Sequence, residues 1–144
     1  MRPEGTLLHL DDVKREELKK VSFGDDDISK CLSSLLFYDL PKCFVEGYSS
    51  TVASANKRYP SSPKLILSAN AWWYDEVFKF WAADCAAKEI PLLGMPHGGD
   101  ISLRSVHPSS KHEKAIVDYY YSWGSCAEEV KGRYAKIIQM PATK

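Results

Sequence analysis

The sequence predicts an α/β fold: an open, parallel, Rossmann-like sheet with flanking helices. Three observations carry this. Leu65-Ile66-Leu67-Ser68 and Ile90-Pro91-Leu92-Leu93-Gly94-Met95 are short apolar runs with the length of buried strands. Between them, Asp75 to Lys88 has helical spacing: Trp73, Val77, Phe80, Trp81 and Cys85 fall near one face, and Glu76, Lys79 and Lys88 fall off it. Strand, helix and strand in that order make a βαβ unit, whose two strands are parallel and whose crossover is right-handed.

The elements follow in order along the chain. Residues 1–27 read as a polar leader, in which Asp11-Asp12 caps a short helix running to Lys20. Asp25-Asp26-Asp27 follows Gly24 as a solvated turn that opens the next helix. Ile28, Leu32, Leu35 and Leu36 recur at helical spacing, and Pro41 ends that element. A second helical segment is expected from Lys42 to about Tyr59, closed by the breaker Pro60-Ser61-Ser62-Pro63. After the βαβ unit come a polar loop to Ser110, a helix over Lys111 to Val117 and a strand over Tyr119 to Trp123. A helix over Ala127 to Tyr134 and a strand over Lys136 to Met140 complete the pattern. Residues 28–144 are expected to form a single α/β domain.

Composition excludes several function classes. With 144 residues, 44% hydrophobic and 26% charged, the chain suits one globular domain, or part of a larger one, rather than a disordered or fibrous protein. Lys+Arg and Asp+Glu are equal at 19 each, so there is no global electrostatic footprint for nucleic acid or an anionic membrane. No apolar run approaches the ~20 residues of a membrane span, and the first residues carry no apolar signal region. A cytoplasmic location is expected. Cys31, Cys43, Cys85 and Cys126 never form a Cys-x-x-Cys pair and read as reduced thiols.

Chemistry is expected beyond the carboxyl ends of the parallel strands, where open α/β sheets bind ligands. His97-Gly98-Gly99 follows the second strand there. Two adjacent glycines permit close backbone approach, so their N–H groups can cradle a phosphate, with His97 as general base or donor; a plain turn is the competing reading. His112-Glu113 opens a later helix, either as surface residues or turned toward the same cleft. Arg104 is a candidate phosphate contact, and Asp118 is the odd residue before the tyrosine strand. The catalytic candidates are therefore His97 and Glu113, and the substrate-binding candidates Gly98, Gly99, Arg104, His112 and Asp118. No metal is expected, because the histidines lack ligand spacing. Nor is there a P-loop, a Gly-x-Gly-x-x-Gly or a Gly-x-Ser-x-Gly motif. The aromatic clusters Trp72-Trp73-Tyr74 and Tyr119-Tyr120-Tyr121 could stack a sugar or base, but read mainly as core between helix and sheet.

A set of short matches then stands out. Leu40-Pro41, Val45-Glu46-Gly47-Tyr48, Pro60 and Pro63-Lys64 lead into Ser68-Ala69-Asn70, Asp75 to Ala82 and Gly94. His97-Gly98-Gly99, His112-Glu113, Ile116-Val117-Asp118 and Ser122-Trp123-Gly124 follow in the same order. Together they resemble a family of bacterial transferases from surface-carbohydrate biosynthesis, with a glycosyltransferase-B-like architecture. The flanks differ from that family's usual Gln and Tyr-Gly: here they are Pro96 and Asp100-Ile101-Ser102. The resemblance implies that the chain is one half of a two-domain protein. It further implies a nucleotide-sugar donor as substrate, without a separate cofactor, and transfer to a glycan or lipid-linked acceptor. His97-Gly98-Gly99 would then lie in the interdomain cleft, with His112, Glu113 and Asp118 lining or bracing it. A non-catalytic α/β module that binds a nucleotide or a partner subunit, or a truncated remnant, is the alternative.

Overall fold

A computed structural model describes residues 8–96, 108–123 and 135–140. The chain divides into two compact units, residues 1–54 and 55–144, with the boundary inside one helix.

In the first unit, α1 (Asp12–Leu18) is capped by Asp11, whose side chain accepts the Lys14 N–H. α2 (Asp27–Asp39) starts the same way, as the Asp26 carboxylate accepts the N–H groups of Ile28 and Ser29. The acidic triplet is thus a helix start. The apolar positions of α2 recur at helical spacing, yet Ile28 is 73% exposed and α2 buries no residue. The unit is organised by Arg15 on α1. Its guanidinium forks onto Glu46, with Nε to Oε1 at 2.6 Å and Nη2 to Oε2 at 3.0 Å. The same group donates to the carbonyls of Phe37 and Leu40, at the end of α2, where a helix leaves acceptors unpaired.

That fork also explains a difference from the sequence reading. The helix expected from Lys42 to Tyr59 is broken into a 3₁₀ turn (Lys42–Phe44) and α3 (Tyr48–Arg58). Glu46 lies in the gap and turns to Arg15, while the Asp11 N–H donates to its Oε1. Gly47 follows because a Cβ there would sit 2.8 Å from Leu8 and 3.2 Å from the Cys43 backbone.

In the second unit, β1 (Ile66–Ser68), β2 (Leu92–Gly94), β3 (Tyr119–Trp123) and β4 (Lys136–Met140) form one sheet in that order, every pair parallel. The main connecting helices are α5 (Glu76–Ala87) between β1 and β2, and α6 (Pro108–Ile116) between β2 and β3. The expected βαβ unit and the α/β class are what the structure shows. The sequence reading missed α4 (Ala71–Tyr74), a single turn after β1. The helix expected over Ala127 to Tyr134 lies outside the described residues.

Side chains alternate across a strand, so Ile66, Leu92 and Tyr120 share one face of the sheet. They form a single core with Phe78, Trp81, Ala82 and Cys85 of α5. Its aromatics meet edge to face, Trp72 on Phe78 at 4.9 Å, and Tyr59 stacks on Trp81 at 4.5 Å. The buried indoles are satisfied: Trp72 donates to the Ser68 carbonyl and Trp81 to that of Pro60. Cys85 is a packing residue whose thiol is pushed up by burial, and neither it nor Cys31 forms a disulfide.

Gly94, at the end of β2, is where Tyr120 comes closest. A Cβ at Gly94 would lie 2.9 Å from Tyr120 Cδ2 and 3.3 Å from Val117 Cγ2. Gly94→Ala should therefore cost about 1–3 kcal/mol through overpacking. A urea midpoint lowered at unchanged slope would show it, and an unchanged midpoint would mean the ring has room to move.

Candidate functional site

Parallel strands enter at one edge of the sheet and leave at the other, so each expected site residue can be placed by its edge. Residues 97–107 follow the carboxyl end of β2. His97, Gly98, Gly99 and Arg104 therefore lie outside the described residues.

His112 and Glu113 are described and lie on α6. The C-terminus of α6 feeds through Val117 and Asp118 into the amino end of β3, so the helix runs back from the carboxyl edge. α4 follows the carboxyl end of β1, and its Trp73 meets α6 there. The His112 ring is exposed and lies 4.5 Å from the Trp73 ring, tilted by 52°.

Glu113 is fully enclosed, with 0% of its surface exposed. Trp73 Nε1–H donates to its Oε1 at 2.8 Å, and the Tyr120 hydroxyl donates to its Oε2 at 3.2 Å. One carboxylate thus ties the turn after β1 to α6 and the middle of β3. The enclosed carboxylate holds the Trp73 indole, and the His112 ring lies against that indole. Beside it, the buried Lys114 ammonium sits 5.5 Å over the Tyr120 ring. Open α/β sheets receive ligands beyond the carboxyl ends of their strands.

Asp118 sits elsewhere. It precedes β3, at the amino edge, where its carboxylate accepts the Leu92 N–H at 2.8 Å. Its own N–H donates to the Leu92 carbonyl, and its carbonyl accepts from Lys136. Asp118 joins β2, β3 and β4 at the edge opposite the one from which the chain leaves toward His97.

The structure thus brings His112 and Glu113 together with Trp73 and Tyr120, two residues that sequence reasoning assigned to general packing. The available signal was the polar edge of each aromatic, since a buried indole N–H or phenol requires an acceptor. Among the described residues, no three His, Cys, Asp or Glu side chains converge as a metal site. Among them, too, no helix is long and apolar enough to cross a membrane.

Over residues 3–144 the chain matches a family model described as "LIC12162 family transferase". No curated protein and no solved structure matches it.

Proposed function

Because the chain belongs to the LIC12162 family of transferases, we propose that it takes a nucleotide-activated donor, a nucleotide sugar, at the carboxyl edge of its sheet. The acceptor on this reading is a glycan or lipid-linked sugar of a bacterial surface polysaccharide, and the reaction runs in the cytoplasm within a two-domain, glycosyltransferase-B-like enzyme. The observation that carries the placement is the enclosed Glu113, which fixes Trp73 and Tyr120 beside the exposed His112 near that edge.

The chemistry follows from the residue types. An acceptor hydroxyl attacks the anomeric carbon of the donor and gives its proton to His97 as general base. A new C–O bond forms, while the C–O bond to phosphate breaks and its electron pair leaves on the nucleoside diphosphate. The Gly98 and Gly99 N–H groups and Arg104 offset the phosphate charge, His112 lines the site, and Glu113 orients it. Asp118 braces the sheet from the amino edge. This reading requires no metal.

A thermal melt of the chain against nucleotides and nucleotide sugars tests it, with His97→Ala alongside. At 100 times its dissociation constant a ligand adds about 2.7 kcal/mol, a shift readily seen at this size. The expected result is a cooperative melt raised by one nucleotide class and not raised in His97→Ala. A melt that nothing moves would favour the second reading, a non-catalytic partner-binding module. Leu67, Tyr119 and Met140 support that reading, since they lie exposed on the sheet face turned away from Tyr120 and the α5 core.

A further inference from the structure

We propose that Ser122 is a ligand-binding residue whose hydroxyl donates a hydrogen bond to an oxygen of the nucleotide-activated donor; this rests on the transferase reading above. Four polar or charged side chains are buried among the described residues: Arg15, Glu113, Lys114 and Ser122. The first three are engaged, Arg15 by Glu46, Glu113 by Trp73 and Tyr120, and Lys114 over the Tyr120 ring. Ser122 is 2% exposed, and among the described residues its hydroxyl has no hydrogen-bond partner. A buried hydroxyl left this way destabilises the fold, and alanine would pack there without that cost.

Its place in the sheet gives the hydroxyl a use. Ser122 shares its face of β3 with Tyr120, the residue that reaches Glu113, and lies one side-chain repeat nearer the carboxyl edge. β2 pairs with β3 only as far as Gly94 opposite Tyr120, whereas β4 continues alongside through Ser122 and Trp123. Ser122 therefore stands past the end of β2, beside the point where the chain leaves the sheet toward His97. Open parallel sheets receive ligands at such a step between strand ends. A phosphoryl oxygen or a sugar oxygen would satisfy the hydroxyl, and the two are separable by experiment.

The experiment compares the full chain with its Ser122→Ala variant in two measurements. One is the melting temperature without ligand. The other is calorimetric titration with UDP, GDP, UDP-glucose, GDP-mannose and inorganic pyrophosphate. The variant should melt at or above the wild type, yet bind the probe that wild type binds roughly tenfold more weakly. Equal loss for nucleoside diphosphate and nucleotide sugar assigns the contact to phosphate, and loss confined to the nucleotide sugar assigns it to the sugar. A variant that melts clearly lower overturns the proposal, because the hydroxyl then serves the fold. Unchanged affinity overturns the proposal and leaves the transferase reading standing. Failure of every probe to bind wild type overturns both.

Discussion

Glu113→Ala should remove about 3–5 kcal/mol from the stability of residues 55–144, one of the two largest single-site effects expected in this chain. The carboxylate is fully enclosed and accepts from Trp73 Nε1–H and the Tyr120 hydroxyl. Its removal takes the Glu113 acceptor from both donors, at about 1–3 kcal/mol each, and leaves a cavity as well. Glu113→Gln keeps the shape and one acceptor but points an amide N–H₂ at a donor, so it should lose about half as much. Urea denaturation of both variants measures this directly. A loss under about 1 kcal/mol for Glu113→Ala would mean that the donors find other acceptors and that Glu113 organises nothing.

The second large effect lies in the first unit. Arg15 and Glu46 have side chains only 4% exposed, and the guanidinium serves the carboxylate together with the carbonyls of Phe37 and Leu40. Breaking a buried pair by removing one partner leaves an uncompensated charge, which is far worse than never having had the pair. Arg15→Ala should lower the melting temperature of this unit by roughly 10 °C and open the amides of α1 and α2 to hydrogen exchange. Arg15→Lys cannot make the fork and should recover little. Replacing both, Arg15→Met with Glu46→Leu, should recover much of the loss. Single and double variants with equal protection would show that the pair does not hold the unit together.

The same pair sets an acid limit. Hydrogen bonds from Arg15 hold the Glu46 carboxyl down to about 2 from an ordinary 4.5. A carboxyl depressed on folding contributes stability above its unfolded value, and that contribution is lost as pH falls toward the folded one. Protection of α1 and α2 should therefore decline between about pH 4.5 and pH 2, and Glu46→Gln should flatten the decline. An unchanged acid profile in that variant would assign the limit to another carboxylate.

Much of the sheet was legible in the sequence because its signals are local. The runs at Leu65 and Ile90 and the stripe on α5 each state a period within one short window, and the βαβ connection follows from their order. What was not legible depends on partners distant in the chain. The break before α3 exists because Arg15 claims Glu46, and no window around Lys42 to Tyr59 contains Arg15. Periodicity gave α2 an apolar face, but a period does not say whether anything covers that face, and Ile28 is largely exposed. In the candidate site, His112 and Glu113 were found by their chemistry, whereas Trp73 and Tyr120 were read as packing because only tertiary contact brings their polar atoms to Glu113. Asp118 was set with His97 only by the family resemblance, as a residue lining or bracing the cleft, and strand direction puts it at the amino edge.

The most direct measurement is a backbone-amide NMR titration of the isotopically labelled chain with UDP-glucose and GDP-mannose, followed residue by residue. Saturable shifts are expected in the amides of Gly94, Met95, His97, Gly98 and Gly99, at Ala71 to Trp73, and at Ser122. Leu92 and Asp118, at the amino edge, should stay still. Shifts centred on Leu92 and Asp118, or none at concentrations that saturate ordinary nucleotide sites, would contradict it.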